Sequence, residues 1–170
     1  MPGWLKRFAA IALVPLVVLA VWSLIPGRAP ILQPISYNHN LHVEDEGLEC
    51  IDCHDTAEDA AYATIPVLEV CIDCHDTEPV SESPDEAMLI AHIEGGIEIG
   101  WNRIYSVPSH VYFSHRRHVT LGELDCSVCH GAVSEQTQPV VAPVTPLSMD
   151  WCMDCHYENK VINDCLACHR

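Results

Sequence analysis

All ten cysteines of this chain fall into five pairs, the members of each separated by two residues, and a histidine directly follows every pair. The runs are Cys50, Cys53 and His54; Cys71, Cys74 and His75; Cys126, Cys129 and His130; Cys152, Cys155 and His156; and Cys165, Cys168 and His169. Two thiols one helical turn apart can add to the two vinyl groups of a single porphyrin. The adjacent imidazole then reaches the iron from the same side. Cys-x-x-Cys-His is the attachment pattern of c-type haem. The runs therefore predict five covalently bound haem c groups, with His54, His75, His130, His156 and His169 as proximal iron ligands.

Zinc and disulfides are the competing chemistries for paired cysteines. Neither requires a histidine after every second cysteine. Zinc sites would also draw on ligand pairs in even groups, and five is odd. A thioredoxin-like redox pair would occur once, beside a strand and helix pattern that is missing here.

Low-spin electron-transfer haem needs a second axial ligand, usually His or Met. Eleven histidines less the five of the motifs leave His39, His42, His92, His110, His115 and His118. Four of these form two His-x-x-His pairs. His39 and His42 precede Cys50 by eleven and eight residues, and His115 and His118 precede Cys126 by the same intervals. At that spacing both rings can leave one helical turn toward two different irons. These four are the expected distal ligands. For the fifth iron the order of preference is His110, then Met149, then His92. His110 lies close to the second ligand pair, and Met149 stands three residues before Cys152.

The elements that must position these groups follow from a duplication. Tyr37 and Phe113 each lie two residues before the first histidine of a pair, and a further haem motif follows each unit. The repeat modules span about 36–76 and 109–157, and 158–170 carries the fifth motif. Self-similarity at a fixed offset argues for shared local structure. Asp76–Glu86 and Ser134–Ser148 read as connectors, and Ala87–Ile93 as a short helix ended by Gly95 and Gly96. Fewer than 30 residues surround each haem (about 140 residues for five motifs), too few for an ordinary side-chain core. The expected fold is mostly irregular with short α-helices, wrapped around a haem stack. Without haem it should not fold.

From Phe8 to Ile25 no residue is charged and only Ser23 is polar. Such a run of eighteen residues just reaches the length of a membrane-spanning helix. Lys6 and Arg7 precede the run, which places the N-terminus in the cytoplasm. The expectation is a membrane anchor over 1–28, a single transmembrane helix in contact with lipid, and a haem domain over 29–170 on the periplasmic side. A cleaved secretory signal is the rival reading, and a small-x-small cleavage site is hard to find. Both export the haem domain.

The net charge is −16, and Glu44 to Glu98 holds seventeen Asp or Glu with no Lys or Arg. That excludes nucleic-acid binding, which needs a basic face. The acidic stretch fits either a solvated coat or a docking face for a basic redox partner.

An aromatic-x-His-x-x-His run ahead of Cys-x-x-Cys-His resembles the class III multihaem cytochromes. More narrowly, Trp101–Tyr105, Pro108–His115, His118–Val119 and Pro146–Trp151 are similar to the pentahaem subunit of alternative complex III. The haem subunit of menaquinone reductase complexes is also similar. The first resemblance implies electron flow from quinol oxidation to a periplasmic acceptor, a monohaem cytochrome or a blue-copper protein. It also implies integral membrane and iron–sulfur partner subunits. The second implies flow from periplasmic cytochromes to quinone. A membrane-anchored quinol dehydrogenase cytochrome is a further alternative. The chain is not expected to be an enzyme on its own. A multihaem reductase would need a five-coordinate iron, and six spare histidines argue against one.

Overall fold

The computed structural model describes residues 29–76 and 78–169. The anchor expected over 1–28 lies outside the described residues. Among the described residues no helix is long and apolar enough to cross a membrane. Ile31–Arg170 forms one compact unit.

Among the described residues, seven short helices punctuate irregular chain. They are α1 (Cys50–Cys53), α2 (Leu68–Ile72), α3 (Pro84–Gly95), α4 (His115–Val119), α5 (Ser127–His130), α6 (Met149–Glu158) and α7 (Cys165–Cys168). A π-helical turn covers Leu41–Asp45 and a 3-10 turn Val133–Glu135. Among the described residues the β-structure is an isolated antiparallel bridge between Val111 and His169. Short helices need local starts. Ser114, Ser148 and Asp164 cap α4, α6 and α7 by accepting from backbone N–H groups within the first turn. A reciprocal box between Glu49 and Asp52 opens α1.

The longest helix, α3, starts earlier than the sequence reading had it. Ser83 caps it and Pro84 occupies its first turn, so it begins inside the stretch read as a connector. Proline is pre-set for a first turn and has no N–H to leave unsatisfied there. Gly96 ends the helix in the left-handed region, φ 58°, where a side chain would be strained.

Among the described residues the buried apolar side chains are only Ile35, Leu68, Ile90 and Ile99. Ile35, Leu68 and Ile99 cluster under Leu89, Ile93 and Trp101, where α2 and α3 meet. Large apolar side chains elsewhere, such as Leu166 and Tyr157, are 79% exposed. This is the side-chain distribution expected of a chain whose interior is not made of side chains.

Candidate haem-binding site

Every attachment motif is a closed helical turn. The N–H groups of His54, His75, His130 and His169 donate to the carbonyls of Cys50, Cys71, Cys126 and Cys165, at 2.9, 2.8, 3.0 and 2.9 Å. The fourth motif lies wholly within α6. An i, i+3 pair on such a turn shares one face, as double thioether attachment requires. None of the ten thiols is joined in a disulfide.

Both His-x-x-His pairs also sit on helical turns, with the same aromatic support. The Tyr37 ring stacks on His42 (4.5 Å, 24°) and meets His39 edge-on (4.8 Å, 82°). Phe113 does the same to His118 (4.6 Å, 22°) and His115 (4.9 Å, 88°). His42 and His118 donate through Nδ1 to the carbonyls four residues back, Asn38 at 2.9 Å and Ser114 at 2.8 Å. His54 and His156 donate through Nδ1 to Thr64 O at 2.7 Å and Ile162 O at 2.8 Å. Engaging Nδ1 in this way fixes the tautomer and leaves Nε2 as the free ligand nitrogen.

The rings come together in pairs. His42 faces His75 with ring centres 6.3 Å apart, His115 faces His130 at 6.4 Å, and His118 faces His156 at 6.0 Å. An imidazole nitrogen lies about 2 Å from a first-row metal and about 1.1 Å from its ring centre, so rings on opposite sides of one ion stand about 6.2 Å apart. The three gaps fit an iron held between two imidazoles. His110 stacks on His169 at 5.5 Å and 22°. The bridge at Val111 and a 2.8 Å bond from Tyr112 N to Cys168 O bring them together. The other candidates for that place lie differently. Met149 opens α6 and is 64% exposed. His92, on α3, directs Nδ1 to Ile97 O at 2.8 Å.

His39 completes the set in another way. Its Nδ1 is buried with no hydrogen-bond partner. Leaving a buried polar atom unpaired costs about 1–3 kcal/mol, so the site fits a group that the polypeptide does not itself supply. Burial pushes its imidazole down to about 4, and the neighbouring His54 and His42 act in the same direction. Burial likewise lowers His115 and His130. Such rings are neutral at pH 7, the form that binds a metal.

The motifs neighbour one another out of chain order. The Cys126 thiol lies in the electrostatic neighbourhood of Cys50, joining the first motif to the third. Cys53 lies in the electrostatic neighbourhood of Cys71 and Cys74, Cys129 in that of Cys152 and Cys155, and Cys152 in that of Cys168. The row runs second, first, third, fourth, fifth. Sequence reasoning missed this order because the contact between the first and third motifs is non-local.

Paired histidine turns and closed Cys-x-x-Cys-His turns are the arrangement that multihaem c-type cytochromes use to bind haem c covalently. Comparison with known proteins agrees. Residues 111–170 match the family described as Cytochrome c7 and related cytochrome c. The chain is also 32% identical over 130 residues to the menaquinone reductase multiheme cytochrome c subunit of Nitratidesulfovibrio vulgaris strain Hildenborough. That alignment covers 76% of this chain and 59% of the relative, so the chain spans about three-fifths of the relative's length. Both likenesses support a cytochrome of the class III kind.

Proposed function

We propose that the chain is the haem-bearing, electron-transfer subunit of a quinone-linked membrane complex, carrying five haem c groups. The proximal ligands are His54, His75, His130, His156 and His169, and the distal ligands in the same order are His39, His42, His115, His118 and His110. The observation that carries the reading is the spacing of the three facing histidine pairs near 6.2 Å. Bound haem supplies one-electron exchange between ferric and ferrous iron. Two histidines would hold each iron, and His42, His54, His75, His118 and His156 have their imidazoles fixed through Nδ1. That set suits electron relay and not small-molecule reduction.

In the finer reading the chain is anchored by residues 1–28 with its haem domain in the periplasm. It passes electrons from quinol oxidation in an alternative complex III-like assembly to a periplasmic monohaem cytochrome or blue-copper protein. The Trp101–Tyr105 and Pro108–His115 runs support this direction. The likeness to a menaquinone reductase subunit favours a second reading, with electrons entering from a periplasmic cytochrome and leaving to menaquinone.

Purification from detergent-solubilised membranes tests both. The chain is expected to migrate with polytopic and iron–sulfur subunits. Reduction of its haems by a menaquinol analogue, with reoxidation by a periplasmic acceptor, supports the first direction. The reverse sequence supports the second. A chain that migrates alone overturns the subunit assignment.

A further inference from the structure

Glu86 is the buried charged side chain of the described residues, 7% exposed, on the first turn of α3. Its carboxylate is met only by donors. Oε1 accepts from His75 Nδ1 at 2.9 Å and from Val80 N at 2.8 Å. Oε2 accepts from Ser81 N at 2.7 Å and from the Ser81 hydroxyl. Donors on both oxygens are the surroundings of an ionised carboxylate.

We propose that Glu86 lowers the reduction potential of the haem at the second motif by holding a full negative charge on the Nδ1–H of its proximal ligand, His75. The inference rests on the reading of His75 as an iron ligand. The contrast is within the molecule. His54 and His156 direct the same nitrogen to neutral carbonyls, Thr64 O and Ile162 O. A carboxylate draws the Nδ1 proton further and makes the ring a stronger donor at Nε2. Stronger donation favours ferric over ferrous iron, and hydrogen bonding around a ligand is an established lever on potential. The second motif stands at one end of the row of attachment points, so the effect weakens the hold on electrons at that end. Glu86 acts through His75 and is therefore a positioning residue.

The test uses the whole haem-loaded protein and redox titration followed by optical and electron paramagnetic resonance spectra. E86Q is expected to raise one potential by at least a tenfold change in the reduction equilibrium, about 59 mV for one electron. The ferric resonance of that haem should move and the others stay. E94Q, which removes a charge from the exposed side of the same helix, is expected to leave the potentials in place. S81A keeps Glu86 but removes a donor from Oε2. It turns more charge toward His75 and is expected to shift the same potential downward, and it decides the matter if E86Q does not fold. Unmoved potentials in a loaded E86Q or S81A protein overturn the inference, as does an E94Q shift equal to that of E86Q. The underlying reading is tested separately by H42A, which should leave one five-coordinate, high-spin haem. If all haems stay low-spin in H42A, the ligand assignment fails and not merely the tuning.

Discussion

The Arg116 N–H donates to the Ala60 carbonyl at 2.9 Å, and 76 residues earlier in register Asn40 N–H donates to Gln136 O at 3.0 Å. Asn40 corresponds to Arg116, and Gln136 to Ala60. Each half of the molecule thus holds the ligand turn of the other with the segment that follows its own first attachment motif. The Arg116 amide lies in a first helical turn, where it has no intrahelical partner. Without the cross-strap it would face water.

This relationship predicts slow hydrogen exchange at both amides, with the same opening free energy, since neither strap can open while the halves remain docked. Native-state exchange on the haem-loaded protein checks it. Clearly different protection at Arg116 and Asn40 would show that the two straps open independently.

Ligand removal separates relay from catalysis. H42A and H118A are each expected to convert one haem from six- to five-coordinate, and the reduced variants should then bind carbon monoxide at one haem. The unaltered protein should not bind it rapidly. Rapid binding by the unaltered protein would mean an open iron, and the relay reading would fall.

The fifth distal position distinguishes three residues. H110A is expected to open one iron, because His110 lies against His169 at 5.5 Å. M149L and H92A should open none, since Met149 is exposed and the His92 ring stands on α3. High-spin haem content read at room temperature decides among them. An M149L protein with one high-spin haem would transfer the ligand to the thioether.

Much of the site was legible in the sequence because its chemistry is local. Cys-x-x-Cys-His closes within one helical turn, and His-x-x-His with its aromatic neighbour closes within another. Both are fixed by spacing alone, and the stacking of Tyr37 on His42 and Phe113 on His118 shows how similar the two turns are. The order of the motifs was not legible, because the meeting of Cys50 and Cys126 depends on chain segments far apart. Glu86 was hidden in an acidic run where every carboxylate looks solvated. Its signal was Ser83-Pro84-Asp85-Glu86, a helix start that places the fourth residue on the first turn. The sequence reading assigned those residues to a connector.

The α3 boundaries give a stability prediction. S83A removes the cap that accepts from Asp85 N at 3.2 Å and is expected to cost about 1 kcal/mol. G96A forces a side chain into the left-handed region and is expected to cost about 1–2 kcal/mol. Thermal unfolding of the loaded protein should show both as lowered midpoints. Because α3 carries Glu86, both variants should leave the haem content unchanged while loosening its hold on His75. Equal midpoints for the two variants and the unaltered protein would mean that α3 does not belong to the cooperative unit.

Haem removal should abolish the fold rather than weaken it. Only four apolar side chains are buried among the described residues, and three of them cluster against Leu89, Ile93 and Trp101. Burial on that scale cannot offset the backbone and side-chain entropy lost in ordering so long a chain. The connectors add no compensation, since Gln136 to Ser148 holds no helix or strand. Replacing all ten cysteines by alanine removes covalent attachment while leaving every histidine in place. The resulting chain is expected to give a coil-like far-ultraviolet circular dichroism spectrum, no cooperative melt and complete amide exchange within the dead time. A cooperative transition in that variant would show a side-chain core sufficient by itself, contrary to the burial pattern. Replacing only Cys165 and Cys168 should spare the rest, because α7 is joined to the body through Val111, Tyr112 and their bonds to Cys168 and His169. That variant should keep four haems and a lowered but cooperative melt.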